Sequence, residues 1–259
     1  MLALLGLILF AQGVLAWQVF LLLTAALAAE EWAALGFPGL AVRLGYVMAS
    51  GLAAGMLLFL PAPSSHFSLL LFVLALLFWS LVVPVWLGRG WRLAPGLLFL
   101  AVGWVVILPT VAALLALRQS GVDVLLACMA VVWVSDICAY FVGRAFGRHR
   151  LAPMISPGKT WEGVAGALAG VALFGWLVAS SASGPQLALL HIRAGWAWLP
   201  VLAVVAAFGI EGDLFESWLK RCAGIKDSGW ILPGHGGVLD RIDALTAALP
   251  IAALMIGLA

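Results

Sequence analysis

The chain has 259 residues, 65% of them hydrophobic and 9% charged, with a formal net charge of +2 and a mean hydropathy of +1.18. Soluble domains carry about a quarter of their residues as charged side chains, so a water-soluble globular fold is excluded and a multi-span membrane protein is expected. Cys128, Cys138 and Cys222 lack metal-type spacing, which argues against a disulfide framework or a thiolate metal site, and no nucleic acid is expected as a partner.

A helix needs about 20 apolar residues to cross the hydrocarbon core. Runs of that kind predict spans at 15–35, 39–60, 67–88, 96–117, 123–143, 161–182, 197–217 and 241–259. Residues 2–29 are too long for one upright helix, and Gly13 could separate a short first span from the second. The expected fold is therefore all-α, a polytopic transmembrane helical bundle of eight or nine spans with a polar site facing the cytoplasm. One domain covers 1–259, with mainly hydrophobic helices in 1–120 and the site-bearing half in 121–259. The abrupt apolar start lacks the positive n-region of a cleavable signal peptide and is compatible with a start inside a longer first helix.

With these boundaries, Arg43, Arg89, Arg92, Arg144, Arg148, Arg150, Lys159, Lys220, Arg221, Lys226 and Arg241 fall on one side of the membrane. Only Arg118 and Arg193 fall on the other, so the first group is expected in the cytoplasm. Every acidic residue except Asp123 lies on or near that same face, which points to a site as well as a topology signal. The chain has ten arginines but three lysines, and all three lysines are predicted in the two longest cytoplasmic loops. Positions that want a compact ammonium are a feature of phosphate-binding sites.

Three segments carry the chemistry. In the first, Ser135 to Arg150, Asp136 and Tyr140 are four apart and share a helix face, with Asp136 about two turns inside the hydrocarbon edge. A carboxylate at that depth is a functional-site candidate, unless it serves a helix-to-helix ion pair. The second, Ser156-Pro-Gly-Lys159-Thr160-Trp-Glu162-Gly163, is a turn leading into a helix, with Thr160 as its N-cap and free N–H groups that favour anions. Gly-Lys-Thr suggests a P-loop, but Pro153 stands where the first glycine is required and no strand is expected before it.

The third segment is C-terminal. Asp213, Glu216, Ser217 and Lys220 share one helix face, and Asp240 and Asp243 open the last helix at a three-residue spacing. Six carboxylates, Glu211, Asp213, Glu216, Asp227, Asp240 and Asp243, lie in this stretch and describe an oxygen-rich site for a hard cation such as Mg²⁺. The number of cations is left open, a second being the alternative. Between them, Pro233-Gly234-His235-Gly236-Gly237 is a backbone able to approach phosphate closely. Acidic residues for Mg²⁺ and basic residues for phosphates at one membrane face together suggest phosphoryl or nucleotidyl transfer onto a lipid.

These residues resemble the bacterial integral-membrane phosphatidate cytidylyltransferases, or CDP-diacylglycerol synthases. The pattern of Ser217, Lys220-Arg221, Lys226-Asp227, Pro-Gly-His-Gly-Gly and Asp240-Arg241-Ile-Asp243 is complete, and the Asp136/Ala139/Tyr140/Gly143, Ser156–Gly163 and Glu31-Trp32 elements are similar too. The resemblance covers most of the second half; the first hundred residues share mainly hydropathy, and Trp230 stands where many relatives carry a different residue. It implies the reaction CTP plus phosphatidate giving CDP-diacylglycerol plus diphosphate, in a cell inner (plasma) membrane, with the site open to the cytoplasm and laterally to lipid. It also implies Asp213 and Asp240 as first metal ligands, with Asp243 and Asp227 next. Lys159, Lys220, Arg221 and Lys226 would hold the triphosphate and the lipid head group, with Asp136, Ser217, His235 and Arg241 as further site residues. Trp161, Trp218 and Trp230 fit an interfacial belt. Expected partners are CTP, phosphatidate and membrane lipid, and a homodimer is compatible with the sequence. The alternatives are another lipid-linked phosphotransferase, such as a CTP-dependent polyprenol kinase, and a secondary transporter with a mid-bilayer site at Asp136.

Overall fold

The computed structural model describes residues 13–59, 66–181, 198–229 and 236–258. Among the described residues there are eight helices, α1 (Val14–Gly36), α2 (Leu40–Phe59), α3 (His66–Arg89), α4 (Leu97–Ser120), α5 (Val122–Phe146), α6 (Trp161–Ser181), α7 (Trp198–Ala223) and α8 (Leu239–Leu258). They fall where the apolar runs placed them, within a few residues, except that α7 runs on past residue 217 to Ala223 and carries Lys220 and Arg221 in its last turn. Lys220 therefore belongs to a helix rather than to a loop.

Among the described residues, seven helices are long and apolar enough to cross a membrane, not eight or nine. The exception is α8, whose first turns hold Asp240, Arg241 and Asp243 and leave only Ala244–Leu258 as an uncharged stretch, shorter than the roughly 20 residues a span requires. Instead, α8 is the central helix. Every residue from Ala244 to Leu254 is buried, and α8 packs on α1, α3, α4, α5 and α7. A ninth span would fall on residues 1–12, outside the described residues.

A short antiparallel hairpin, β1 (Arg150–Ala152) and β2 (Ser156–Thr160), lies between α5 and α6. Its strands are too short, and too interrupted by Pro157 and Gly158, to show the alternation that marks a strand in sequence. The expected turn before α6 is thus a folded-back ribbon.

Two features position the site. In α3 a π-turn at Phe78–Val82 sends the Val83 N–H to the Phe78 carbonyl, five residues back. The next residue is Pro84, which lacks an N–H and crowds the carbonyl four residues before it, so the widened turn relieves the ladder there. Phe78, Trp79 and Trp86 then surround Phe215 of α7 edge-on, with centroids 5.7, 5.5 and 5.4 Å away. This box fixes the rotation of α7 at the residue between Asp213 and Glu216.

The second is the junction of α1, α2 and α4. Trp32 donates its indole N–H to the Phe99 carbonyl at 2.9 Å, and the Tyr46 hydroxyl donates to the Leu100 carbonyl at 2.9 Å. Both side chains lie over Gly103, where an added Cβ would meet Trp32 Nε1 and Tyr46 Oη at 2.5 Å. Gly103→Ala should displace both donors and destabilise the bundle by about 1–3 kcal/mol, the usual effect of overpacking, seen as a lower Tm in detergent. An unchanged Tm would show that the junction is looser than its geometry.

Candidate active site

Two of the three lysines singled out in the sequence, Lys159 and Lys220, converge with the carboxylates, whereas Lys226 is exposed. Lys159, on β2, points into the bundle and pairs with Asp213 Oδ2 of α7 at 2.7 Å, while also donating to the Ile210 carbonyl at 3.2 Å. The hairpin holds it there. Glu162, in the first turn of α6, accepts from the Arg148 and His149 backbone N–H groups and meets His149 Nδ1 at 2.6 Å. Arg150 Nη1 donates to the Pro157 carbonyl, and the Trp161 N–H donates to the His149 carbonyl. Thr160 Oγ1 accepts from the Gly163 N–H at 3.1 Å, the expected N-cap.

Lys220 is the second junction. From the last turn of α7 it donates to Glu216 Oε2 at 2.8 Å and to Asp240 Oδ1 at 2.6 Å, so one ammonium joins α7 to the start of α8. The other oxygen of Asp240 accepts from the backbone N–H groups of Ser228 (2.9 Å) and Gly237 (2.8 Å). Burial opposes the charged form of Asp240, but Lys220 and these two N–H groups outweigh it and hold the carboxyl at about 2. Ser217 Oγ donates to Asp213 Oδ1 at 3.2 Å.

Asp136 and Asp243 complete the cluster. Asp136, exposed on α5, lies within electrostatic range of Asp213 and Lys159. Asp243 lies within range of Asp213, Lys220 and Lys159. Tyr140, one turn after Asp136, accepts from Arg144 Nη1 at 2.7 Å and is exposed. Arg221, Lys226, Asp227 and Arg241 are exposed, and Asp227 stands across the loop from Gly236, whose φ is +78°. His235 lies outside the described residues, as do Trp230, Pro233 and Gly234.

The expected cation can be tested against these donors. Among the described residues no three His, Cys, Asp or Glu side chains stand close enough to hold a metal ion; Asp213 faces Lys159 and Asp240 faces Lys220 instead. The donor chemistry fits a hard cation all the same. Asp136, Asp213, Glu216, Asp240 and Asp243 set five carboxylates against the two ammonium groups, and Glu216 Oε1 is buried without a hydrogen-bond partner. Two ammonium groups held on carboxylates can also transfer to phosphate oxygens, which are equally good acceptors.

One participant escaped the sequence reading. Glu31 of α1, noted there only as half of a Glu-Trp pair, is 1% exposed and accepts hydrogen bonds from Ser228, Val238 and Leu239. Nothing in its local sequence signals partners some 200 residues away.

The model of the family described as "Cytidylyltransferase family" matches residues 1–259. The chain is 39% identical over 253 residues to the phosphatidate cytidylyltransferase of Pseudomonas aeruginosa, covering 93% of this chain and 87% of that one. It is 45% identical over 170 residues to the Brucella suis protein of the same name (65% of this chain, 58% of that one). It is 39% identical over 198 residues to the one from Haemophilus influenzae (71% and 67%). With its whole length matched by the family and 39% identity to a relative over 93% of its length, the chain belongs to the cytidylyltransferase family.

Proposed function

We propose that this chain is a phosphatidate cytidylyltransferase, forming CDP-diacylglycerol and diphosphate from CTP and phosphatidate. The observation that carries the reading is the pair of junctions Lys159–Asp213 and Lys220–Asp240, in a chain similar along 93% of its length to an enzyme of that name.

In this reading a phosphatidate oxygen attacks the α-phosphorus of CTP, an O–P bond forms, the bond to the β,γ-diphosphate breaks, and diphosphate leaves. The phosphate monoester is already ionised, so no general base is required. What opposes reaction is the approach of two polyanions. Lys159 and Lys220, half-buried and preorganised by their carboxylates, are placed to exchange those partners for phosphate oxygens, with Arg221, Lys226 and Arg241 exposed at the rim. Mg²⁺, held by Asp213 and Asp240 with Asp243 and Asp227 as further ligands, would supply the remaining neutralisation of the triphosphate. The side chains of Ile137, Tyr140 and Phe141 on α5 and of Trp161 on α6 are exposed beside the site and suit the acyl chains of a lipid substrate. The excess of basic residues on this side supports a cytoplasmic orientation.

The test is product analysis in mixed micelles. Purified protein should release diphosphate only when CTP and phosphatidate are both present, with one CDP-lipid formed per diphosphate, and chelation of divalent cations should stop it. Formation of CDP with a phosphorylated lipid would replace this reading with a kinase, and solute exchange without any nucleotide would replace it with a transporter.

A further inference from the structure

We infer that Glu31 is a positioning residue for the site: it ties Ser228 to the start of α8 and thereby orients Asp240. The inference rests on the function proposed above for what Asp240 does, but not for what Glu31 holds.

Glu31 lies near the end of α1, in the half of the chain that reads as plain hydrophobic helix. A carboxylate 1% exposed needs compensation. Here it comes from the start of α8 and from Ser228. Oε1 accepts from the Val238 N–H at 2.9 Å, and Oε2 accepts from the Leu239 N–H at 2.7 Å and from Ser228 Oγ at 3.2 Å. Two of these donors are N–H groups at the start of a helix, which have no partner within it and lie at its positive end.

The same segments are held from the other side by Asp240, whose Oδ2 accepts from the Ser228 and Gly237 N–H groups. Ser228 thus gives its hydroxyl to one carboxylate and its N–H to the other. The two carboxylates bring residues 228 and 237–239 together. The fit leaves no spare room. A Cβ on Gly229 would sit 2.5 Å from Glu31 Oε1, and one on Gly237 would sit 2.5 Å from Glu31 Oε2 and 2.4 Å from Ser228 Oγ. Glycine is required on both sides because the backbone presses on the Glu31 carboxylate.

The consequence reaches the site through Asp240 alone. Its Oδ2 is anchored on the N–H groups of Ser228, whose hydroxyl Glu31 holds, and of Gly237, whose neighbour Val238 Glu31 holds, and its Oδ1 is thereby turned toward Lys220. Glu31 touches neither Lys220 nor Lys159 and acts by fixing the carboxylate that does.

The test compares full-length wild type with E31Q and S228A. The Gln amide can offer one oxygen where the carboxylate offered two, so a donor faces a donor at Val238 or Leu239. In hydrogen exchange the Ser228, Gly237, Val238 and Leu239 amides of wild type should be protected, and E31Q should speed their exchange by at least tenfold while the Ala244–Leu254 amides keep their wild-type rates. E31Q should also raise the Mg²⁺ concentration for half-maximal turnover about 10-fold and lower kcat 10- to 100-fold, the size of effect seen when partners of a metal ligand are removed, with the phosphatidate KM within about twofold. S228A, which loses one hydrogen bond, should move the same quantities in the same direction by less. Those four amides of E31Q exchanging within twofold of wild type, or exchange rising equally through α8, would overturn the inference. If wild type forms no CDP-lipid, the proposed function fails, and the exchange measurement still decides whether Glu31 ties Ser228 to the start of α8.

Discussion

Asp240→Asn should lower the rate of CDP-diacylglycerol formation by at least about 10²-fold, at or beyond the upper end of the 10- to 100-fold typical of groups that only support a metal ligand. Three donors meet this carboxylate, Lys220 at one oxygen and the Ser228 and Gly237 N–H groups at the other. An amide has one acceptor oxygen, so either the ammonium or the backbone pair faces an NH₂ group. If the oxygen stays with the backbone, the variant keeps its fold but leaves Lys220 without its second carboxylate, and the negative charge proposed to hold Mg²⁺ is gone. Turnover measured on protein with wild-type Tm checks this. A folded variant within about tenfold of wild type would remove Asp240 from the machinery.

Lys220→Met should be damaging in two separable ways. The side chain is 13% exposed and Glu216 is 5% exposed, with Oε1 of Glu216 already without a partner. Removing the ammonium leaves Glu216 as an uncompensated buried carboxylate, a change that costs about 3–5 kcal/mol when a buried pair is broken on one side. The double variant Lys220→Met/Glu216→Gln removes that stranded charge and should recover most of the lost stability. It should recover no activity, because the cation that exchanges carboxylate for phosphate is still missing. Thermal unfolding and turnover of wild type, single and double variants separate the effects; activity returning together with stability would assign Lys220 to structure only.

The helices were legible because their signal is local. An apolar run of about 20 residues is visible without knowing its neighbours, and all eight expected segments are helical. At α8 the apolar length that predicts a span runs across Arg241 and Asp243, and the structure uses that segment as a buried centre of the bundle. The end of α7 differs from expectation for a related reason. Lys220 and Arg221 look like the start of a loop, yet Lys220 stays helical since Glu216 and Asp240 neutralise it, and Asp240 comes from another helix. The β1/β2 hairpin was hidden by strands of three and five residues with Pro157 and Gly158 inside.

Membrane class, family and the chemical inventory, lysines and carboxylates with glycine between them, are readable along the chain. Each of these depends on composition or on spacing within a few residues, which covalent geometry converts directly into a helix face or a turn. Which charge meets which is a property of the packed bundle. Lys159 finds Asp213 across 213 − 159 = 54 residues, Lys220 finds Asp240 across 20, and Glu31 finds Leu239 across 208. Such pairings depend on the rotation of each helix about its axis, and that rotation is set by side-chain packing, such as the aromatic box around Phe215, which no local pattern encodes.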